Sequence, residues 1–220
     1  RSRGAQLLER RCAMRLFYTP FKGLVHKIQV VATETGHYDK LEKVSRIPYE
    51  TPPDLAAANP LSKVPTLVLD SGVALYGGPV IYEYLDSVSH GPKLFLPAGT
   101  EQRFIDMTRM ALGEWMFDLT NIRSFEIRRA AEHIDTDYAE RMRKQIARAI
   151  AKVAEDCDSY TGFTIGQICI ACGLHYQLWL INRGRDIEDW RTTHPKLSSW
   201  YDRFTDRPSF VPRDHEVPNA

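Results

Sequence analysis

Two closely spaced breaks in the middle of the chain constrain it most. Gly91-Pro92 and Pro97-Ala98-Gly99 fall between His90 and Thr100, and no regular element runs through so many breakers. The apolar pattern differs on the two sides. Before His90, short apolar runs of strand length alternate with stretches of helical spacing. After Thr100 the stripes are helical throughout. The chain therefore reads as two domains, 14–90 and 100–220. They follow a basic, mostly polar extension at 1–13 that lacks the long apolar centre of a secretory signal.

The first domain reads strand, helix, strand, short helix, strand, strand, helix. Arg15 to Tyr18 is a short strand, broken by Thr19-Pro20. Leu24, Ile28, Val31 and Ala32 then recur at helical spacing until Gly36 ends the helix. Leu41 to Ser45 alternates as a half-buried strand does, and a short helix fits Asp54 to Ala58. Thr66-Leu67-Val68-Leu69 and Val73 to Tyr76 form a hairpin about Asp70-Ser71-Gly72. A helix from Pro79 to Ser89 closes the domain. In the second domain, Tyr138, Met142, Ile146, Ile150, Val153 and Cys157 form one apolar stripe. The stretch from Thr164 to Asn182 is apolar nearly all round, so it is expected to be a buried central helix. Thr164 and Gln167 are spaced as a capping box for that helix. His194-Pro195 to Thr205 forms the last amphipathic helix.

Composition excludes several functions. The 29 Lys and Arg nearly cancel 28 Asp and Glu, for a net charge of +1, and no basic face suggests a nucleic-acid partner. No apolar run approaches the ~18 residues of a membrane span. Cys12, Cys157, Cys169 and Cys172 form no disulfide framework, which points to a reducing compartment such as the cytoplasm. Cys169-Ile-Ala-Cys172 is formally a CxxC, but it lies inside the apolar helix rather than at a helix start, so it reads as core. No clustered partners accompany His175 or His194, and no metal site is assigned.

An ordered set of motifs carries more information. Asn59-Pro60-Leu61-Ser62-Lys63-Val64-Pro65-Thr66-Leu67, then Leu75-Tyr76, then Val80-Ile81-Tyr82-Glu83-Tyr84-Leu85-Asp86 resemble the glutathione transferases. Thr19-Pro20 followed by Val25-His26-Lys27-Ile28 is similar to the first strand-to-helix turn of bacterial serine-type members. Trp190, His194-Pro195, Leu197, Trp200-Tyr201 and Arg207-Pro208-Ser209 match the closing segment of their helical domain. The resemblance runs from Met14 to about Pro212. It implies an α/β thioredoxin-like N-terminal domain plus an all-α C-terminal domain, usually in a homodimer. Glutathione would bind the first domain as co-substrate, with a small apolar electrophile in the cleft beside the second. The resemblance also implies a cis bond at Val64-Pro65. The Val64 backbone would meet the cysteinyl part of glutathione, with Lys63 near the peptide.

Two departures from the pattern stand out. The sulfur-binding serine of such relatives aligns with Lys22. Thr19 lies three residues earlier and Tyr18 at the strand end, so Lys22, Thr19 and Tyr18 are all candidates for activating the thiol. An ammonium ~4 Å from a thiolate gains about 4 kcal/mol at an effective dielectric of 20. A hydroxyl gives about 1.5–3 kcal/mol. Lys22 is therefore adequate on energy, and equally able to point to water. The second departure is Gly77-Gly78, which stands where relatives carry an acidic residue and a serine that grip the γ-glutamyl end. Backbone donors at a helix start remain to attract a carboxylate.

In the helical domain, Glu114, Trp115, Phe117 and Asp118 fall where the family's first long helix faces the substrate cleft. Trp115 and Phe117 suit an apolar wall or the core, and Glu114 and Asp118 suit acid–base work or a wet surface. The expected function is a glutathione-dependent conjugation or a related lyase or isomerase step. The competing expectation is a relative that has given up glutathione for a binding or scaffolding role, or for another small molecule in the cleft.

Overall fold

The computed structural model describes residues 14–19 and 22–211, and for residues 22–25 the backbone alone. The expected extension at 1–13, with Cys12, and Pro20 lie outside the described residues. The chain divides into two compact units at Lys93 and Leu94.

In the first unit, β1 (Arg15–Tyr18), β2 (Glu42–Ser45), β3 (Thr66–Val68) and β4 (Ala74–Tyr76) form one sheet in the order β2-β1-β3-β4. β2 runs parallel to β1, and α1 (Lys22–Glu34) makes the crossover that a parallel pair requires. β3 and β4 are antiparallel neighbours joined by the expected hairpin, with Gly72 at φ +84°. Leu16, Phe17 and Leu67 are buried in the sheet. The short α2 (Pro53–Ala58) precedes β3, and α3 (Gly78–Ser87) follows β4 and buries Ile81, Tyr82 and Leu85. This is the thioredoxin-like arrangement that the resemblance implies.

The second unit is helical: α4 (Glu101–Glu126), α5 (Thr136–Asp156), α6 (Ile165–Ile181), α7 (Trp190–Thr193) and α8 (Pro195–Thr205). The end of the expected linker belongs to it. Leu94 and Phe95 are buried, the Ile165 N–H donates to the Leu94 carbonyl at 3.0 Å, and the Arg103 guanidinium donates to the Leu96 carbonyl at 2.8 Å. α6 is the central helix, buried nearly all round. Cys169 and Cys172 lie within it as core side chains.

Three glycines explain how closely α4 and α6 cross. A Cβ on Gly113 would stand 2.6 Å from the Cys169 carbonyl oxygen, and one on Gly166 would stand 2.6 Å from Asp106 Oδ1. One on Gly173 would stand 3.1 Å from the Gly113 carbonyl oxygen. Backbone therefore packs on backbone along this crossing. The α6 N-terminus corrects one expectation. Thr164 is the N-cap residue, yet its side chain caps nothing, and Gln167 donates to the Thr161 carbonyl instead. The capping anion comes from α4. Buried Asp106 accepts from the Gly166 N–H at 3.1 Å and from the Thr164 hydroxyl at 2.6 Å. A carboxylate there faces the positive end of the helix dipole as well as two donors, which a local capping box does not match.

Gly113→Ala separates two effects by sign. Helix propensity alone predicts a gain of about 1 kcal/mol. The clash with α6 predicts a loss of about 1–3 kcal/mol, and the loss is the expected result of a urea titration. Asp106→Ala is expected to cost about 1–3 kcal/mol in the same assay, since it leaves a buried N–H and a half-buried hydroxyl unmet.

Candidate functional site

The first unit's candidate residues come from three segments far apart in sequence. The middle one is the loop from Asn59 to Thr66, and its shape follows from one buried side chain. Asn59 Nδ2 donates to the Lys63 carbonyl and to Thr66 Oγ1, each at 3.1 Å, while its Oδ1 accepts from the Leu61 N–H at 3.0 Å. Thr66 Oγ1 donates to the Lys63 carbonyl at 2.8 Å. Ser62 takes the left-handed conformation at φ +48° as its N–H donates to the Asn59 carbonyl. Asparagine suits this place because its short amide can bond both ahead along its own backbone and across the loop. The loop ends in a cis Val64-Pro65 bond, as the resemblance implies. Val64 and Pro65 are half-buried and Lys63 is exposed.

Strand register brings the other two segments beside this loop. The β1–β3 ladder ends at Phe17 and Thr66, so Thr19 lies two residues past the paired end of β1 and Val64 two residues before that of β3. The β3–β4 ladder ends at Thr66 and Tyr76, so Gly77 and Gly78, the first residue of α3, follow directly at that same end. Thr19, Val64 and Gly78 therefore fall at one end of the sheet. Thr19 is 1 % exposed, and its Oγ1 has no hydrogen-bond partner. An unmet buried hydroxyl costs about 1–3 kcal/mol. Tyr18 is also buried, and its backbone carbonyl accepts from the Arg46 N–H. Lys22 is the first residue of α1, and its side chain lies outside the described residues.

The two glycines at the start of α3 are glycine for different reasons. Gly77, the N-cap, has φ +88°, where L side chains are strained, although a Cβ there would meet nothing within 4 Å. Gly78 has an ordinary backbone, but a Cβ on it would stand 2.5 Å from Tyr82 Oη and 2.8 Å from Cζ. Pro79 occupies the first turn and lacks an N–H. The remaining first-turn N–H groups are those that helix geometry leaves without an intrahelical acceptor. Sequence reading assigned no role to Asn59, Thr66 or Tyr82, although all three lie in the motifs that carried the resemblance. Asn before Pro was the signal available for the first of them.

The helical unit's four candidates lie on α4. Trp115 is 65 % exposed, Asp118 is exposed and Glu114 is half-buried. Phe117 is buried, its ring 4.5 Å from that of Tyr176, whose hydroxyl donates to Asn121 Oδ1 at 2.8 Å. The unit also holds a small open pocket, lined in part by Arg123, Ile146, Ile150, Gln177 and Trp190 and by none of those four. No group of three or more His, Cys, Asp and Glu suited to a metal ion occurs among the described residues. No helix among them is long and apolar enough to cross a membrane.

Known proteins match both units. Residues 23–88 fit the family model for the glutathione S-transferase N-terminal domain. The GST-like protein YibF of Escherichia coli is 25 % identical over 199 residues, covering 89 % of this chain and 94 % of YibF. A glutathione transferase family member from Pseudomonas fluorescens Pf-5, solved with bound glutathione, is 30 % identical with a TM-score of 0.79. That match covers 90 % of this chain and 96 % of the other. A glutathione S-transferase from Methylobacillus flagellatus, solved with glutathione, is 25 % identical, also with a TM-score of 0.79 and the same coverage. With the sheet, the cis turn and the helical unit in place, these likenesses show that the chain belongs to the glutathione S-transferase family.

Proposed function

We propose that the protein is a glutathione-dependent transferase in which the Thr19–Val64–Gly78 end of the sheet holds glutathione. The observation that carries this reading is the braced Val64-Pro65 turn at the sheet end where Thr19, just past β1, buries an unmet hydroxyl. The Val64 N–H and C=O would pair with the cysteinyl backbone of glutathione, and exposed Lys63 would meet the peptide's negative charge. The start of α3, at Gly77 and Gly78, would take the γ-glutamyl carboxylate. Relatives solved with glutathione bound support the same ligand here.

The Thr19 hydroxyl is the proposed partner of the glutathione sulfur. A buried hydroxyl with no protein partner is the group a bound thiolate would satisfy. Its hydrogen bond favours the ionised thiol and so lowers the thiol pKa. Conjugation then forms a carbon–sulfur bond as the electrophile's leaving group departs with its electron pair, while the thiol proton passes to water. Lys22 is the second candidate, acting through charge, and Tyr18 the third. Among the α4 residues, exposed Trp115 is proposed as the apolar contact for the electrophile, with Glu114 and Asp118 as polar neighbours; buried Phe117 serves the core, packed on Tyr176. We also infer a homodimer, since Val80 on α3 and Phe104 and Ile105 on α4 stand exposed. Cys157, Cys169 and Cys172, buried and in no disulfide, accord with a cytoplasmic setting.

Calorimetric titration with glutathione is expected to show binding at or below millimolar concentration, and its absence would sink the proposal. Thr19→Val is expected to leave the free protein equally or more stable, because it deletes an unmet polar atom. It should also raise the pKa of the bound thiol and lower kcat/KM roughly 10- to 100-fold. If Lys22→Met carries that loss and Thr19→Val does not, the lysine is the activating group. Asn59→Ala removes the brace from the turn, and is expected to weaken glutathione at least about tenfold with a stability loss of about 1–3 kcal/mol.

A further inference from the structure

We propose that the Tyr82 hydroxyl stands in for the side chain that Gly78 lacks and donates a hydrogen bond to the γ-glutamyl carboxylate of glutathione. This rests on the glutathione reading above and adds to it a residue that neither the motifs nor the relatives assign.

The geometry is specific. Tyr82 Oη lies 2.5 Å from the point where a Cβ of residue 78 would be. A serine at 78 would hold its hydroxyl one bond from that same point, so the two oxygens would share one small region. Tyrosine reaches it because residue 82 is one helical turn beyond residue 78, and side chains on a helix lean toward its N-terminus. The ring is 2 % exposed, so its position is fixed by packing before any ligand arrives. Gly77 is exposed and Gly78 half-exposed.

The chemistry suits a carboxylate. The start of α3 is the positive end of a ten-residue helix, and its backbone donors favour an anion. Pro79 contributes no N–H to that set, which leaves room for a side-chain donor. A phenol O–H is such a donor, and a hydrogen bond to a charged acceptor is stronger than one to a neutral acceptor. Gly78 and Tyr82 thus form one device, in which the missing side chain makes room for the hydroxyl that replaces it.

The test is a calorimetric comparison of wild type and Tyr82→Phe with two ligands. One is glutathione. The other is its analogue with hydrogen in place of the γ-glutamyl carboxylate, 4-aminobutyryl-cysteinylglycine. Tyr82→Phe is expected to weaken glutathione roughly 10- to 100-fold and to leave the analogue's affinity unchanged. Phenylalanine keeps the ring on Gly78, and a thermal melt checks the fold. A second comparison stands independently: Gly78→Ser/Tyr82→Leu, which restores a hydroxyl from residue 78, is expected to bind glutathione more tightly than Tyr82→Leu alone. Unchanged glutathione affinity in Tyr82→Phe, equal losses for both ligands, or no rescue by the serine would each overturn the role of Tyr82. Absence of glutathione binding by wild type would overturn the site reading along with it.

Discussion

The pairing of β3 on both of its edges is the constraint on which the candidate site depends. β3 spans three residues, with β1 hydrogen-bonded on one side and β4 on the other. A slip of one residue against either neighbour would exchange the faces of Thr66 and Leu67, both fully buried, and set a hydroxyl where the leucine packs. Burial of that leucine therefore fixes two registers together. Those registers then bring the end of β1, the cis turn and the start of α3 to the same end of the sheet. No direct bond between Thr19 and Gly78 is needed for their placement.

The helical unit solves a different problem. α4 and α6 meet where side chains have been removed, at Gly113, Gly166 and Gly173, so the helices approach to backbone distance. Such closeness would leave the start of α6 buried with unmet N–H groups. Asp106 answers that from the partner helix, since its carboxylate faces both Gly166 and Thr164. The packing and the cap are one arrangement, because Gly166 takes part in both.

The fold was largely legible in the sequence, and the reasons are local. Breakers at Gly36, Gly72 and Gly91-Pro92 fell where the chain turns, and the apolar run from Thr164 to Asn182 had one plausible place, the middle of a bundle. The source of the α6 cap was not legible. Thr164 and Gln167 have the spacing of a local box, and only the three-dimensional approach of Asp106, 58 residues earlier than Thr164, displaces it. At the candidate site, the motif around Val64-Pro65 announced the turn but not its brace, because the bonds of Asn59 depend on how the loop closes. Gly77-Gly78 read as two losses of one kind. Backbone angle explains the first and the ring of Tyr82 explains the second, a distinction that needs coordinates.

That distinction bears on how this chain can change over evolutionary time. Residues 78 and 82 exclude each other's larger forms: a side chain at 78 has no room while tyrosine stays at 82. Neither residue can revert alone to the common family pattern without a crowded or an empty intermediate. Among descendants of such a sequence the two positions should vary together, and a small residue at 82 should open the way for serine at 78. A pair of this kind acts as a ratchet, holding a lineage to its own way of filling that space long after the first substitution has been forgotten.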